Sequence, residues 1–408
     1  MARPIPRQVQ EPGDLAARSP DRSMIDAIII GGGPSGLALA ILLTQAGHGV
    51  RVLEHRQSIG EHSRAIGIHP PGVAVLERLG IGEAAVDEGV KIGRGVGLSR
   101  GRIVAELSFA AIPAQHRFVL SLPQNHTVAL LRCRLHALDP TALQTGTTYL
   151  SSTSRPGSVT ASLRDARGNE NSLEARFLIG ADGTRSAVRR GTGIGVSARE
   201  LPDEYLMGDY PESTDFGSIA ALFLHGEGIT ESFPLPGNKR RWVSWTAPSE
   251  DRTLVELIEH RTGHRVDGSR NSMLSSFGAR NLAVSSMAHG NLVLIGDAAH
   301  EVSPIGGQGM TLGLLDAAEL APILDAALAG RLTGQGLAEQ LGCYSTRRLA
   351  AARRAGRQAH VNMMLGRPLW GPAGHARDAL ARTVFASDKF SLAVAATFSM
   401  TGGPNARR

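Results

Sequence analysis

Two cysteines in 408 residues, Cys133 and Cys343, stand far apart with no Cys-x-x-Cys spacing. That scarcity argues against a disulfide framework and a cysteine-rich zinc site, and it makes the cytosol the default compartment. Aromatic residues are equally scarce, at 4% of the chain, and scattered. Nucleic-acid readers interleave exposed aromatics with a basic stripe, so the net charge of +6 does not point to RNA or DNA. Lysine is nearly missing: Lys91, Lys239 and Lys389 are its three occurrences among 43 basic residues, an arginine bias of the kind a GC-rich genome produces. Residues 1–23, "MARPIPRQVQEPGDLAARSPDRS", lack any apolar periodicity and read as a disordered leader, with Met24 a candidate start. What remains, 42% hydrophobic and 20% charged, is ordinary globular composition over a length that suggests about two domains.

Long apolar runs are missing too, with one near exception, "IIIGGGPSGLALAILL" at residues 28–43. It falls short of the roughly 20 residues that span a bilayer, and glycine and proline interrupt its centre. The run splits instead into a buried strand, "DAIII", and a helix, "PSGLALAILLTQAG", with Gly47 as a C-cap candidate. Between them lies Gly31-x-Gly33-x-x-Gly36, followed at once by Pro34 and Ser35 inside the spacing. The first glycine permits a tight turn, the second lets a pyrophosphate approach the backbone, and the third lets helix and strand pack. The next strand, "GVRVLEHR", ends at Glu54 and His55, 18 residues beyond Gly36, where a carboxylate accepts hydrogen bonds from a ribose. Strand, glycine turn, helix and acid in this order point to a dinucleotide.

Two later segments repeat the strand-to-helix turn. "ARFLIGADGTRSAVRR" delivers Asp182 and Gly183, then Ser186 and Arg189; "NLVLIGDAAHEVSPIGGQGMTLGLLDAAELA" delivers Gly296 and Asp297 and a glycine-rich turn. Each gathers an acid and unpaired backbone N–H groups at one point. Together the three segments resemble the class A FAD-dependent aromatic hydroxylases, of the para-hydroxybenzoate hydroxylase fold and including the UbiH-like monooxygenases. The resemblance implies an α/β (α+β mixed) fold: a Rossmann-like FAD-binding domain, an inserted antiparallel-sheet substrate domain and C-terminal helices. It implies FAD on Gly31, Gly33 and Gly36, with Glu54 on the adenosine ribose. Arg64 would lie close to the flavin and the pyridine nucleotide, and Arg132 beside the ribityl chain. Asp182 would position FAD, Asp297 would bind the ribityl or pyrophosphate region, and residues 306–311, with Gly307, Gly309, Met310 and Thr311, would line the isoalloxazine. Two departures stand out. Ser303-Pro304 keeps the second of two family prolines, and Thr311 replaces an asparagine.

The domains expected on this basis are residues 24–95, 126–198 and 286–345 for FAD, and 96–125 and 199–285 for the substrate sheet. Residues 346–408 form a C-terminal helical region. The resemblance further implies that NAD(P)H reduces FAD, that O2 adds to give a C4a-hydroperoxyflavin, and that its distal oxygen passes to a phenolic or quinone-like ring, of a polyketide or lipidic phenol. No catalytic side chain is assignable from the motifs. The Pro304 carbonyl would lie near the substrate hydroxyl, and His300 reads better as loop support than as a base. Tyr205 and Tyr210 offer hydroxyls to a phenol, though buried tyrosine more often satisfies itself locally. The arginines Arg347, Arg348, Arg353, Arg354 and Arg357 read foremost as a solvated helix face, with a membrane surface or carrier protein as the sharper alternative. A geranylgeranyl-reductase-like oxidoreductase or a non-catalytic FAD protein are the competing functions, and the Trp-x-Trp-x-Ile segment of flavin halogenases is missing.

Overall fold

The computed structural model describes residues 25–60, 63–247 and 249–402. The expected leader of residues 1–23, like Met24, lies outside them. The opening strand Ile25–Ile30 is buried on both faces because it lies inside a mainly parallel sheet, between Glu170–Gly180 and Val50–Glu54. Leu292–Leu294 extends the sheet beyond Glu170–Gly180, and Leu143–Thr145 extends it beyond Val50–Glu54. Register then does the assembling: Leu53, Ile30, Gly180 and Leu294 share one row. The chain therefore leaves all four strands side by side, and the three motifs meet at one sheet edge. The helix Pro34–Gln45 covers the sheet with Leu37, Leu39 and Ile41 fully buried, and ends at Gly47 in the left-handed region, φ +88°.

A second eight-stranded sheet runs 300–301, 273–284, 196–211, 239–246, 228–235, 220–225, 94–99, 102–108. The expectation was an antiparallel sheet. One joint is parallel, Ala220–His225 against Arg94–Ser99. Its two upstream strands leave the chain before the helix Gln124–Leu138, so the connection to Ala220 is the long crossover that parallel neighbours require. One face of this sheet packs Trp242, Phe223 and Tyr210 against Leu254 and Ile258 of the helix Leu254–Thr262. The other face carries Tyr205, Met207, Ile229 and Val243 to Ile305, in the glycine-rich turn of the first unit. The helices Gly334–Gly366, Gly371–Phe385 and Asp388–Phe398 finish the chain. Among the described residues, no helix is long and apolar enough to cross a membrane.

Candidate active site

The glycines of the first turn have separate tasks. Gly31 leaves its strand at φ +111°, and a Cβ there would collide with the Ala181 carbonyl. A Cβ on Gly36 would strike the carbonyl of Gly31. These two let neighbouring turns touch. Gly33 differs, because a Cβ there meets no atom within 4 Å. It is also the N-cap of the Pro34–Gln45 helix, where no side chain caps the backbone. Open ground before an uncapped helix N-terminus suits a pyrophosphate. A second such N-terminus faces out at Gly309, whose N-cap Gln308 also offers no side-chain acceptor.

The acids mostly hold the turns themselves. Glu54 is buried; its Oε2 accepts from Gly32 N at 2.7 Å and its Oε1 from Arg56 N at 2.9 Å. Exposed His55 lies 3.0 Å from the same Oε1. Asp182 accepts from Ser186 Oγ at 2.5 Å and from the amides of Ala187 and Val188 at 2.7 and 3.2 Å, so it organises the start of the short helix Ala187–Gly191. Gly183 turns the chain at φ +78° and Gly296 at φ +58°. Asp297 alone of the three motif acids is exposed to solvent. Burial raises its carboxyl above the ordinary value, with His300 opposing and Asp316 reinforcing. It is the motif acid left open to solvent.

Beneath that turn lies a network the sequence motifs did not reveal. Asp316, fully buried on the helix Gly309–Leu328, accepts from Gly296 N at 2.9 Å, sits 2.7 Å from His300 Nε2, and accepts from Arg348 Nε at 2.6 Å. Burial pushes this carboxyl up, but His300 and Arg348 outweigh it and hold it down at about 2. His300 is thus engaged in supporting the loop. Arg348 is buried and also reaches Glu319 at 2.8 Å, so the expected five-arginine face loses its centre; Arg347, Arg353, Arg354 and Arg357 stay exposed. The one available signal was an aspartate and a glutamate three residues apart on a largely apolar helix stretch, "TLGLLDAAELA". Arg189 clamps two turns, donating to Thr184 O at 2.6 Å and Ala298 O at 2.9 Å.

Several expected cofactor contacts are redirected. Ser35 points its hydroxyl at Gly296 and Gly313, where a Cβ would collide with it, so it joins helix to turn. The Met310 side chain is buried in the core. Thr311 is fully buried and its Oγ1 accepts from His69 N at 3.0 Å, so only its backbone can meet a flavin. The Pro304 carbonyl accepts from Gly307 N at 2.9 Å, closing the turn at Gly306 and Gly307. His69, the N-cap of Pro70–Arg78, donates from Nε2 to Gly306 O at 2.9 Å, while its Nδ1 is buried without a partner. Burial holds this imidazole neutral, down to about 4, against the raising effect of the Gly306 and Gly307 carbonyls. Arg132, half-buried, has an orphaned Nε. Arg64 extends an exposed side chain from a loop whose carbonyls, Ser63 O and Arg64 O, bind Arg241 at 2.8 and 2.5 Å. Arg241 in turn pairs with Asp209 at 2.6 and 2.8 Å, tying the second sheet to that loop. Of the tyrosines, Tyr205 is buried with a partnerless hydroxyl and stacks on Phe277, whereas Tyr210 faces the opposite side of its sheet.

Open space at Gly33, two uncapped helix N-termini, the orphaned Arg132 Nε and the exposed Asp297 suit an anionic dinucleotide with ribose hydroxyls. Comparison with known proteins agrees. The chain is 30% identical to an uncharacterized aromatic compound monooxygenase, YhjG, of Bacillus subtilis, over 75% of this chain and 62% of that protein. It is 29% identical to 6-methylpretetramide 4-monooxygenase of Streptomyces rimosus, over 81% of this chain and 60% of that one. The chain thus spans about three fifths of the length of these curated relatives. The crystal structure of p-nitrophenol 4-monooxygenase from Pseudomonas putida DLL-E4 shares the fold, with a TM-score of 0.83 at 23% identity, covering 94% of this chain and 99% of that one. Residues 24–359 match the family described as FAD binding domain. The chain belongs to that family, and FAD is its cofactor.

Proposed function

We propose that this chain is a single-component FAD-dependent monooxygenase that uses NAD(P)H and O2 to hydroxylate a phenolic or quinone-like ring, of a polyketide or lipidic phenol. The observation that carries this reading is a juxtaposition. The apolar face of the second sheet meets the glycine-rich turn at Ile305, four residues before the uncapped helix N-terminus at Gly309. Bound FAD supplies hydride acceptance from NAD(P)H and, once reduced, oxygen activation for transfer to the ring. The protein's own tasks are binding, orientation and exclusion of water. On this reading Gly33 faces the pyrophosphate, Gly31 and Gly36 shape the turn beneath it, and Glu54, which holds that turn through Gly32 N, lies on the ribose side. Arg132 Nε and Asp297 meet the chain between them and the ring. The N–H groups of Gly309, Met310 and Thr311 face the negative charge that develops on the ring system. Arg64 is placed for the pyridine nucleotide. Phe398 is stacked on Phe109 at 6.1 Å and edge-on to His69 at 5.4 Å, which sets an aromatic pair beside the turn at Gly306. The names of the two curated relatives, both monooxygenases of aromatic or polyketide compounds, support the same reaction class.

The test is anaerobic mixing of the FAD-loaded protein with NADH or NADPH across a panel of phenols and quinones, followed by oxygen. The expected result is a ligand that accelerates flavin bleaching and then yields one hydroxylated product per O2 consumed. A flavin that no ligand makes reducible would overturn the reading.

A further inference from the structure

The second sheet keeps a carboxylate where its surroundings favour none. Ile229, Glu231 and Phe233 alternate along Gly228–Leu235 and so project from one face. Ile229 packs in the cluster that contains Ile305 and Met363, and Phe233 packs beside Phe109, Ala395 and Phe398. Across the neighbouring strands Glu231 is paired with Val243 and Leu222. Its nearest neighbours along and across the strands on this face are therefore apolar. Glu231 is only 6% exposed, and no hydrogen bond or ion pair reaches it from the described residues. Burial alone pushes its carboxyl up to about 7. Arg241, diagonal to it on the same face, is committed to Asp209 and to the carbonyls of Ser63 and Arg64. The buried hydroxyl of Tyr205 lies within electrostatic reach of Glu231 and is likewise without a partner.

An unpaired buried carboxyl destabilises a fold, and leaving one in place makes sense where a ligand completes it. We propose that Glu231 is the hydrogen-bond acceptor that selects a ring hydroxyl inside the substrate chamber, a specificity-determining residue that contacts substrate directly. This rests on the hydroxylase reading for the kind of ligand, a ring bearing an O–H donor. The carboxylate discriminates in two directions. It rewards a hydroxyl that donates to it, and it penalises an ether or bare ring that leaves it desolvated and unpaired.

The experiment compares 2-naphthol with 2-methoxynaphthalene on the FAD-loaded protein, read by perturbation of the visible flavin spectrum and by the dissociation constants. Wild type is expected to prefer the naphthol by roughly ten- to a hundredfold, the range for a hydrogen bond to a charged group. Glu231→Leu should bring the ratio close to one and raise the melting temperature of the ligand-free holoprotein, since an unpaired charge is replaced by packing. Glu231→Gln, which keeps an acceptor, should retain part of the preference and guards against a Leu variant that folds poorly. A naphthol preference unchanged in Glu231→Leu, or a wild type indifferent to the two probes, overturns the proposal. NAD(P)H oxidation and product formation are measured separately: if the preference behaves as expected while naphthol never accelerates flavin reduction, Glu231 stands as the selector and the hydroxylase reading falls.

Discussion

The two sheets put selected carboxylates to different use. At the turns of the parallel sheet, Glu54, Asp182 and, from the helix Gly309–Leu328, Asp316 accept from backbone amides, and the N–H groups we propose for the cofactor lie at the uncapped helix starts Gly33 and Gly309. On the second sheet the backbone is consumed by the ladder, and side chains such as Glu231 and Tyr205 are the groups left unpaired. On the proposals above, the cofactor is recognised by main chain held in a fixed shape, and the substrate by side chains that any substitution can change. Breaking each half should therefore produce different failures.

The largest effect is expected at Asp316. Asp316→Asn removes the charge that holds His300, Arg348 and the Gly296 amide together, and loss of one partner from a buried ion pair costs about 3–5 kcal/mol. Denaturant unfolding of the holoprotein should show that loss, together with weaker FAD retention. The wild-type contribution has a defined acid limit. The folded carboxyl is held at about 2, below its usual 3.8, so its stabilisation is complete above pH 3.8 and disappears as pH falls toward 2.

Next comes Gly33. Gly33→Val should leave the apoprotein folded, because no protein atom lies within 4 Å of the added Cβ, while the FAD affinity falls by roughly a hundredfold, about 2.8 kcal/mol. Gly31→Val should instead disrupt folding, since its Cβ meets the Ala181 carbonyl and its φ is +111°. Fluorescence titration of FAD against thermal melting of the apoprotein separates the two. Equal loss of fold in both variants would show that Gly33 is a packing glycine and not a ligand surface.

A third effect sets the two regions directly against each other. His69 is held down at about 4 from 6.5, so its contribution is present above pH 6.5 and is lost as pH falls toward 4. Glu231 is raised to about 7 from 4.5, so its contribution is present below pH 4.5 and is lost as pH rises toward 7. The slopes oppose each other across the overlap and are expected to flatten the wild-type profile, each amounting to about 3 kcal/mol over its window. Glu231→Gln should leave a stability that rises with pH there, and His69→Gln one that falls. Melting curves at half-unit pH steps decide it, and parallel profiles in the two variants would refute the assignment.

This division also explains what was legible in the sequence. Gly31, Gly33, Gly36, Glu54, Asp182 and Asp297 announce themselves because a strand, a tight turn and a helix N-terminus impose a fixed local spacing. The parallel order of four strands then follows from apolar runs long enough to be buried on both faces. Arg348 was misjudged for the same reason: within a helix its neighbours are other arginines, and only tertiary packing against Asp316 shows it to be buried. Glu231 carries no local signature at all. Alternation along "GITESFPL" places it on a face, but which face meets Ile305 is decided by contacts across distant parts of the chain. The parallel joint between residues 94–99 and 220–225 was hidden likewise, since no pattern within either strand records its partner.

The smallest effect is expected at Thr311, where the chain departs from the asparagine of the hydroxylases it resembles. The side chain is fully buried, accepts from His69 N and packs where a Cβ on Gly72 would come within 3.1 Å of Oγ1. It therefore belongs to the support of the turn, which leaves its backbone N–H as the group we propose to face the flavin. Thr311→Val preserves shape and removes the acceptor, leaving the His69 amide unsatisfied at a cost of about 1 kcal/mol. The flavin reduction potential and visible spectrum should stay as in wild type, because no group that faces the ring has changed. A shifted potential with unchanged stability would invert the assignment, placing the hydroxyl on the cofactor side and making the departure from asparagine a change in how the ring is tuned.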